Sequence, residues 1–186
     1  MTGKEHMIVG TTATATLGIS LAVTQQSDIV NIVYLFPLVI GGFIGSYMPD
    51  IDSNNSTASR LFNKILFILV IALLIGYIFG LSINVSEVLD FLQMESKDYI
   101  GIGFFVILTI LGKFSPHRMF THKWLGTVLF CYSVYLMGNR FFTIGFIMGY
   151  VLHIVCDRFT PRGKNLKFFE FKLPCKNSKN KTTIDW

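Results

Sequence analysis

The chain has 186 residues, of which 52% are hydrophobic and only 15% are charged, and its mean hydropathy is +0.55. A soluble domain carries about 25% charged residues, so this composition argues against a soluble globular protein and is typical of a polytopic membrane protein. The net charge of +5 comes from short clusters between long apolar stretches. The three cysteines show no paired spacing, which predicts a reducing compartment and no disulfide.

Six apolar segments follow one another along the chain, and they predict an all-α, polytopic bundle of about six membrane helices. They are residues 7–23, 29–48, 61–81, 99–114, 124–137 and 141–156. The second and third have the roughly 20 residues that a single span needs. The first is rich in threonine and small residues, which favours packing inside a bundle. The last three are short, which draws their connecting loops toward the membrane.

The basic residues predict an orientation. If all six segments cross, every Lys and Arg except Lys97 and Arg140 falls on the side of the N-terminus. The positive-inside rule then places both termini in the cytoplasm. We divide the chain into a membrane-embedded domain, residues 1–162, and a basic cytoplasmic tail, residues 163–186. The tail is also aromatic, which favours contact with anionic lipid.

Chemically active side chains lie at the ends of these segments, and all of them fall on the predicted cytoplasmic side. They come from four separate parts of the chain, and they include all four histidines. The candidate metal ligands are His6, Asp50, Asp52, His117, His122, His153 and Asp157.

The spacing of these residues explains why they suit one site. His153 and Asp157 are four residues apart, so on a helix they share one face. Asp50 and Asp52 follow a proline, and in an extended turn both carboxylates would point toward one cation. His117 and His122 lie across a turn. Thr121 is placed either to cap the next helix or to act as a donor behind the metal ligands.

Imidazole together with carboxylate suits Zn²⁺, Mn²⁺ or Fe²⁺ better than Mg²⁺ or Ca²⁺. Seven groups are too many for one tetrahedral ion, so we expect two or more divalent ions, with zinc as the first choice. Each group also has a plainer explanation when taken singly. Asp50 and Asp52 can cap a helix, His6 can be a surface histidine, and Arg118 can be a topology determinant. The shared side favours the metal site.

The blocks "PDID", "HRMFTH" and "GYVLHIVCDRFTPRG", together with the opening "HMIVG", resemble the signature blocks of the YdjM-type family of bacterial inner-membrane proteins. That family is described as LexA-regulated, membrane-bound, metal-dependent hydrolases with a distant similarity to zinc phospholipase C and P1 nuclease. The resemblance implies phosphoester hydrolysis at a multi-metal centre. Ser53, Met119 and Leu152 depart from the family's usual residues, which puts the metal number and the pocket shape in question but removes none of the seven candidates.

The predicted function is therefore a metal-dependent hydrolase of a lipid or other membrane-linked phosphoester, with its active site at the cytoplasmic face of the inner membrane. Asp50 or Asp52 would be the general base, and Arg118 would bind phosphate through its planar guanidinium. Two alternatives remain: a divalent-cation transporter, and a non-enzymatic membrane scaffold whose tail recruits a partner. Nucleic acid is disfavoured, because no basic aromatic face lies outside the tail. The oligomeric state is left open.

Overall fold

The structure, a computed structural model, describes residues 3–24, 30–80, 96–116, 118–160 and 167–169. Within those ranges it contains six α-helices, one 3₁₀ helix and no strand, which confirms the all-α class. The α-helices are α1 (Gly3–Thr24), α2 (Val30–Tyr47), α3 (Thr57–Ile78), α4 (Ser96–Phe114), α5 (Trp124–Leu136) and α6 (Arg140–Arg158), and the 3₁₀ helix is Met48–Asp52. Each predicted apolar segment corresponds to one α-helix. His117 and most of the basic tail lie outside the described residues.

Two of these helices, α3 and α6, are long and apolar enough to cross a membrane among the residues that the structure describes. The apolar side chains of α3 are exposed along nearly its whole length, whereas α6 is partly buried. α5 is apolar but has only 13 residues. The six predicted segments are thus confirmed as helices, and the crossing of all six stays a prediction.

α2 and α6 pack backbone against backbone through glycines. Gly41 and Gly45 of α2 face the main chain of α6, and Gly145 and Gly149 of α6 face the main chain of α2. A Cβ atom at Gly149 would lie only 2.2 Å from the carbonyl oxygen of Gly42. Small residues four apart on both helices permit this approach, as they do in membrane helix pairs. The contact fixes how far one helix is shifted along the other.

α1 packs across the same two helices. A Cβ atom at Gly10 would overlap the hydroxyl of Ser46, and Thr14 fills the space above Gly42. The Thr14 hydroxyl is buried and donates to the carbonyl oxygen of Gly10 at 2.9 Å. Because its polar atom is bonded within its own helix, Thr14 can occupy an interior position. The threonine-rich first segment is therefore interior on its packed face, as its composition predicts.

α4, α5 and α6 meet around an aromatic core. The ring of Phe105 lies edge-on to Phe130 and Phe146, with centroid separations of 5.6 and 5.8 Å. Phe120, from the turn between α4 and α5, is buried in the same cluster. Tyr150 is also fully buried there, and its hydroxyl donates to the carbonyl oxygen of Thr121 at 2.6 Å. The core thus holds the turn that carries Thr121 and His122.

α3 stands at the side of this bundle. Its first turn is capped by Ser56, whose hydroxyl oxygen accepts the Ser59 N–H at 3.0 Å. Lys113 of α4 donates to the Ser59 hydroxyl and ties the start of α3 to the bundle. Beyond that turn Gly76 is the one buried residue of α3, so the helix presents an apolar surface all round. A helix of this kind is what lipid would surround.

Candidate metal centre

Four chain segments meet at one end of the bundle: the start of α1, the 3₁₀ helix after α2, the turn between α4 and α5, and the end of α6. The structure brings together there six of the seven predicted ligands, which are His6, Asp50, Asp52, His122, His153 and Asp157. All except Asp50 are buried, and the Asp50 side chain is 18% exposed. His117, the seventh, lies outside the described residues.

His153 is oriented by the main chain of α2. Its Nδ1 lies 2.7 Å from the carbonyl oxygen of Ser46. A carbonyl oxygen can only accept, so Nδ1 carries a proton, and in the neutral imidazole Nε2 then keeps a lone pair. Nε2 lies 3.6 Å from Asp50 Oδ1 and has no hydrogen-bond partner among the described residues. Burying such an atom without a partner costs free energy, and an imidazole whose other nitrogen is bonded to a carbonyl is the usual form of a metal ligand.

Asp157 lies between His6 and His122. Its Oδ1 is 3.2 Å from His6 Nε2. Its Oδ2 is 3.0 Å from Arg118 Nη2 and 3.7 Å from His122 Nε2. The two oxygens therefore face different histidines, and the shared helix face predicted for His153 and Asp157 is confirmed.

Among the described residues, two groups of three have the ligand spacing for a metal ion. One is His6, His153 and Asp157, and the other is Asp50, His122 and His153, with the donor atoms of each group within 4.8 Å of one another. Both groups use His153, and its single lone pair can serve one ion only. Asp157 directs one oxygen toward His6 and the other toward His122. It is therefore placed between the two candidate ion positions.

The expected extended turn at Asp50 and Asp52 is wrong, because residues Met48–Asp52 form a 3₁₀ helix. Pro49 lies in its first turn, where proline favours a helical start. The two carboxylates consequently do not share one cation position. Asp50 Oδ1 lies 3.8 Å from His122 Nε2 and 3.6 Å from His153 Nε2.

Asp52 is directed to the turn between α4 and α5 instead. Its Oδ2 accepts hydrogen bonds from the Arg118 backbone N–H and from the Thr121 hydroxyl, each at 2.8 Å, and its side chain is fully buried. The alternative expectation that Thr121 caps α5 is wrong, because the N-cap is Lys123 without a side-chain cap bond. Thr121 instead lies behind the candidate ligands, and a direct ligand or base role for Asp52 stays a prediction.

The charge state of Asp50 suits a metal ligand. Burial raises the pKa of this carboxyl, but the imidazoles of His153 and His122, in their protonated form, lower it by more, so the pKa lies below its usual value. Asp50 is therefore an anion at neutral pH. A carboxylate must be deprotonated to bind a metal ion.

Arg118 lies at the open edge of the cluster, with its side chain 24% exposed. Its φ is +63°, which is uncommon for a residue other than glycine. The Asp52 carboxylate accepts its backbone N–H, and its guanidinium pairs with Asp157. The predicted phosphate-binding residue is thus next to the candidate ligands, and its role stays a prediction.

Sequence reasoning missed two residues of this region. Ser46 orients His153 through its main-chain carbonyl, for which the residue type carries no signal. Tyr150 is buried beneath Thr121 and looks in the sequence like any other aromatic residue of an apolar segment. The four-residue glycine spacing in α2 and α6 was a signal that could have predicted their close packing.

A family model described as YdjM inner membrane protein matches residues 1–177. The chain belongs to the YdjM inner membrane protein family. The match includes every block on which the resemblance was based, so the resemblance is confirmed at the level of the family, and with it the assignment to the inner membrane. No curated protein and no solved structure matches the chain. The YdjM description names the membrane but no reaction.

Proposed function

We propose that this YdjM family member is a membrane-bound, metal-dependent hydrolase of a phosphoester. The observation that carries the proposal is the cluster of three buried histidines and two carboxylates, one of them buried, built around His153. Nε2 of His153 and Nδ1 of His6 are buried without a hydrogen-bond partner within the described part of the chain. The set of imidazoles and carboxylates fits zinc, with manganese or iron as alternatives.

Asp50, His122 and His153 would hold one divalent ion, and His6 with Asp157 would hold a second. Such ions supply Lewis acidity, which activates water and polarises a phosphoryl oxygen. The second position would have His6 and Asp157 as its protein ligands, because the single lone pair of His153 would already serve the first.

The chain's own groups at the open edge would bind and orient the substrate. The Arg118 guanidinium, already beside Asp157, can bind a phosphate through two parallel N–H donors. Of the two carboxylates predicted as general base, Asp52 is fully buried, whereas Asp50 reaches the open edge. We therefore assign proton transfer to Asp50.

We further propose that all six helices cross the inner membrane and that the cluster faces the cytoplasm. The segments that meet at the cluster are those predicted to lie on the cytoplasmic side by their basic residues. A cavity of 190 Å³ lies at the same end between α5 and α6, with a mostly apolar lining of Thr127, Val151, Ile154, Val155, Arg158 and Phe168. An apolar cavity beside the headgroup level favours a lipid-linked phosphoester over a soluble one.

The test combines metal content with turnover. The purified protein is analysed for metals as wild type and as the His153→Ala, Asp157→Asn double variant, and both are assayed on phospholipid and prenyl-phosphate substrates in detergent. We expect bound zinc and hydrolysis in the wild type and neither in the double variant. Asp98→Asn is the matched control, because Asp98 lies near the start of the 19-residue helix α4, at the opposite end of the bundle.

A wild-type protein without bound metal would contradict the proposal. Bound metal without hydrolysis of any phosphoester would favour the transporter or the scaffold instead. Ion flux into proteoliposomes separates those two. The transporter is disfavoured by the structure of the cluster, because its ionisable residues lie at one end of the described bundle rather than along a pathway.

A further inference from the structure

We propose that Thr121 and Asp52 form a hydrogen-bonded relay that fixes the tautomer of His122. The relay places the proton on Nδ1 of His122 and leaves the Nε2 lone pair directed into the cluster. Asp52 and Thr121 are thus positioning residues rather than ligands. The effect on metal binding rests on the proposed function, whereas the tautomer itself does not.

The distances determine the direction of each hydrogen bond. Thr121 Oγ1 lies 2.8 Å from Asp52 Oδ2 and 3.1 Å from His122 Nδ1. An ionised carboxylate can only accept, so the single hydroxyl proton of Thr121 points to Asp52. The hydroxyl oxygen can then only accept from His122, which requires a proton on Nδ1. Asp52 Oδ2, at 3.5 Å from the same Nδ1, favours the same tautomer.

With its proton on Nδ1, the His122 ring presents a lone pair on Nε2. That atom lies 3.8 Å from Asp50 Oδ1 and 3.7 Å from Asp157 Oδ2. Asp50 would hold the same ion as His122, and Asp157 would belong to the neighbouring ion position. The opposite tautomer would direct an N–H at them and could not bind a metal ion through Nε2.

The relay is buried and is also held by the aromatic core. The side chains of Asp52 and His122 are fully buried, and Thr121 is buried as well, so these atoms are shielded from bulk solvent. The Thr121 carbonyl oxygen accepts from Tyr150 at 2.6 Å, which fixes the residue from below. Hydrogen bonds in such low-dielectric surroundings hold a unique arrangement more firmly than they do in water.

The two histidines that face Asp50 are oriented in different ways. His153 bonds to a main-chain carbonyl, that of Ser46, which no side-chain substitution removes. At His122 Nδ1, the hydrogen-bond contact comes from the side chain of Thr121, which a substitution can remove. A change at Thr121 should therefore affect His122 and leave His153 as it is, so His153 serves as an internal control.

The experiment reads the tautomers directly. The full chain is labelled with ¹⁵N-histidine, purified in detergent and freed of metal with a chelator. Long-range ¹H–¹⁵N spectra, at one pH at which the imidazoles are neutral, then show which nitrogen carries the proton. The His122 signals are assigned by their loss in His122→Gln. Thr121→Val removes the hydroxyl at nearly constant shape, and Thr121→Ser retains it.

We expect the His122 proton on Nδ1 in the wild type and in Thr121→Ser. In Thr121→Val we expect a mixture of tautomers for His122, with His153 unchanged. Loss of a group that orients a metal-binding histidine typically weakens metal affinity by about 10–100-fold. We expect a weakening in that range for zinc in Thr121→Val and an affinity close to wild type in Thr121→Ser.

A proton on Nε2 of His122 in the metal-free wild type would overturn the relay, and this measurement decides even if Thr121→Val does not fold. An unchanged tautomer in a folded Thr121→Val protein would overturn it as well. If the tautomers behave as expected but the wild type binds no zinc, the relay stands and the proposed function fails.

Discussion

Asp50 and Asp52 are two positions apart and have the same chemistry, yet their carboxylates serve different neighbours. Asp50 faces the imidazoles of His122 and His153 from the edge of the cluster. Asp52 is buried behind it and receives hydrogen bonds from the turn between α4 and α5. The 3₁₀ helix directs them apart, so Asp50 lies among the candidate metal ligands and Asp52 holds the turn.

Alanine substitution should distinguish these two roles. Asp52→Ala leaves the Arg118 N–H and the Thr121 hydroxyl without their acceptor, at about 1–3 kcal/mol for each buried group. We expect the free energy of unfolding of the metal-free protein to fall by at least that amount. Asp50→Ala should change it little and abolish zinc binding. Thermal unfolding and zinc titration of both variants measure this, and equal unfolding free energies for the two would contradict the assignment.

Substitution of Arg118 should show whether guanidinium geometry matters for hydrolysis. Arg118→Lys keeps the positive charge and again places a non-glycine residue at the positive φ. It loses the planar guanidinium that donates two parallel hydrogen bonds. We expect metal content and membrane insertion close to wild type. Hydrolysis of a lipid phosphoester should fall by about 10-fold or more, equivalent to roughly 1.4 kcal/mol of transition-state stabilisation.

The matched control for that variant is Arg140→Lys, at the opposite end of the 19-residue helix α6. It should retain full activity. Full activity in Arg118→Lys would make Arg118 a residue of topology or structure only.

At the scale of elements, the glycine contact between α2 and α6 determines whether the site forms. His153 is one helical turn beyond Gly149, and its hydrogen bond to Ser46 requires the two backbones to be close. A methyl group at Gly149 would meet main-chain atoms of α2, which cannot move aside as a flexible side chain does. The packing and the metal centre are therefore coupled.

Gly149→Ala should lower the free energy of unfolding by about 1–3 kcal/mol, as overpacking does, and weaken zinc binding as well. Gly103→Ala is the matched control, because a Cβ atom at Gly103 in α4 meets nothing within 4 Å. There the better helix propensity of alanine should stabilise by about 0.5–1 kcal/mol. Thermal unfolding and zinc titration check both, and a Gly149→Ala protein as stable as Gly103→Ala would show that the helices can separate without cost.

At the scale of the molecule, the cluster and the charges point to the same arrangement. The ends of the helices that meet at His153 are those flanked by nearly all of the basic residues. At the opposite end, a Cβ atom at Gly138, after α5, would lie 2.9 Å from Asp98 Oδ1 at the start of α4. Six helices that alternate in direction across a membrane would produce both the cluster at one end and the approach of Gly138 to Asp98 at the other.

Reporter fusions should locate the two ends. A fusion at Asn54, between the 3₁₀ helix and α3, should report the cytoplasm. With six crossings, 14 of the 16 basic residues fall on that side, and only Lys97 and Arg140 fall on the other. A fusion at Glu87, which lies outside the described residues, should report the other compartment. Lys113 and Arg60 border the end that is predicted to be cytoplasmic, so substituting them with glutamine should weaken the charge bias. The same compartment for both fusions would contradict six crossings.

The sequence by itself determined the helices, the shared helix face of His153 and Asp157, and the set of candidate metal ligands. These depend on apolar length and on the 3.6-residue period, which are local properties of the chain. The sequence also contained the YdjM blocks, because a motif is defined by the order of its residues. The same reasoning failed at residues Met48–Asp52, where tertiary contacts and Pro49 favour a 3₁₀ helix over an extended turn.

Only the tertiary structure decided which atom faces which. Ser46 and His153 are 107 positions apart, and Asp52 and Thr121 are 69 apart. Their contacts depend on how far α6 is shifted along α2 and on how the turn before α5 is held against the aromatic core. Those shifts are set by main-chain approach at glycines and by ring packing, and neither is a property of any single segment. The division between Asp50, which faces the candidate metal ligands, and Asp52, which holds the turn that carries one of them, therefore appears only once the helices are packed.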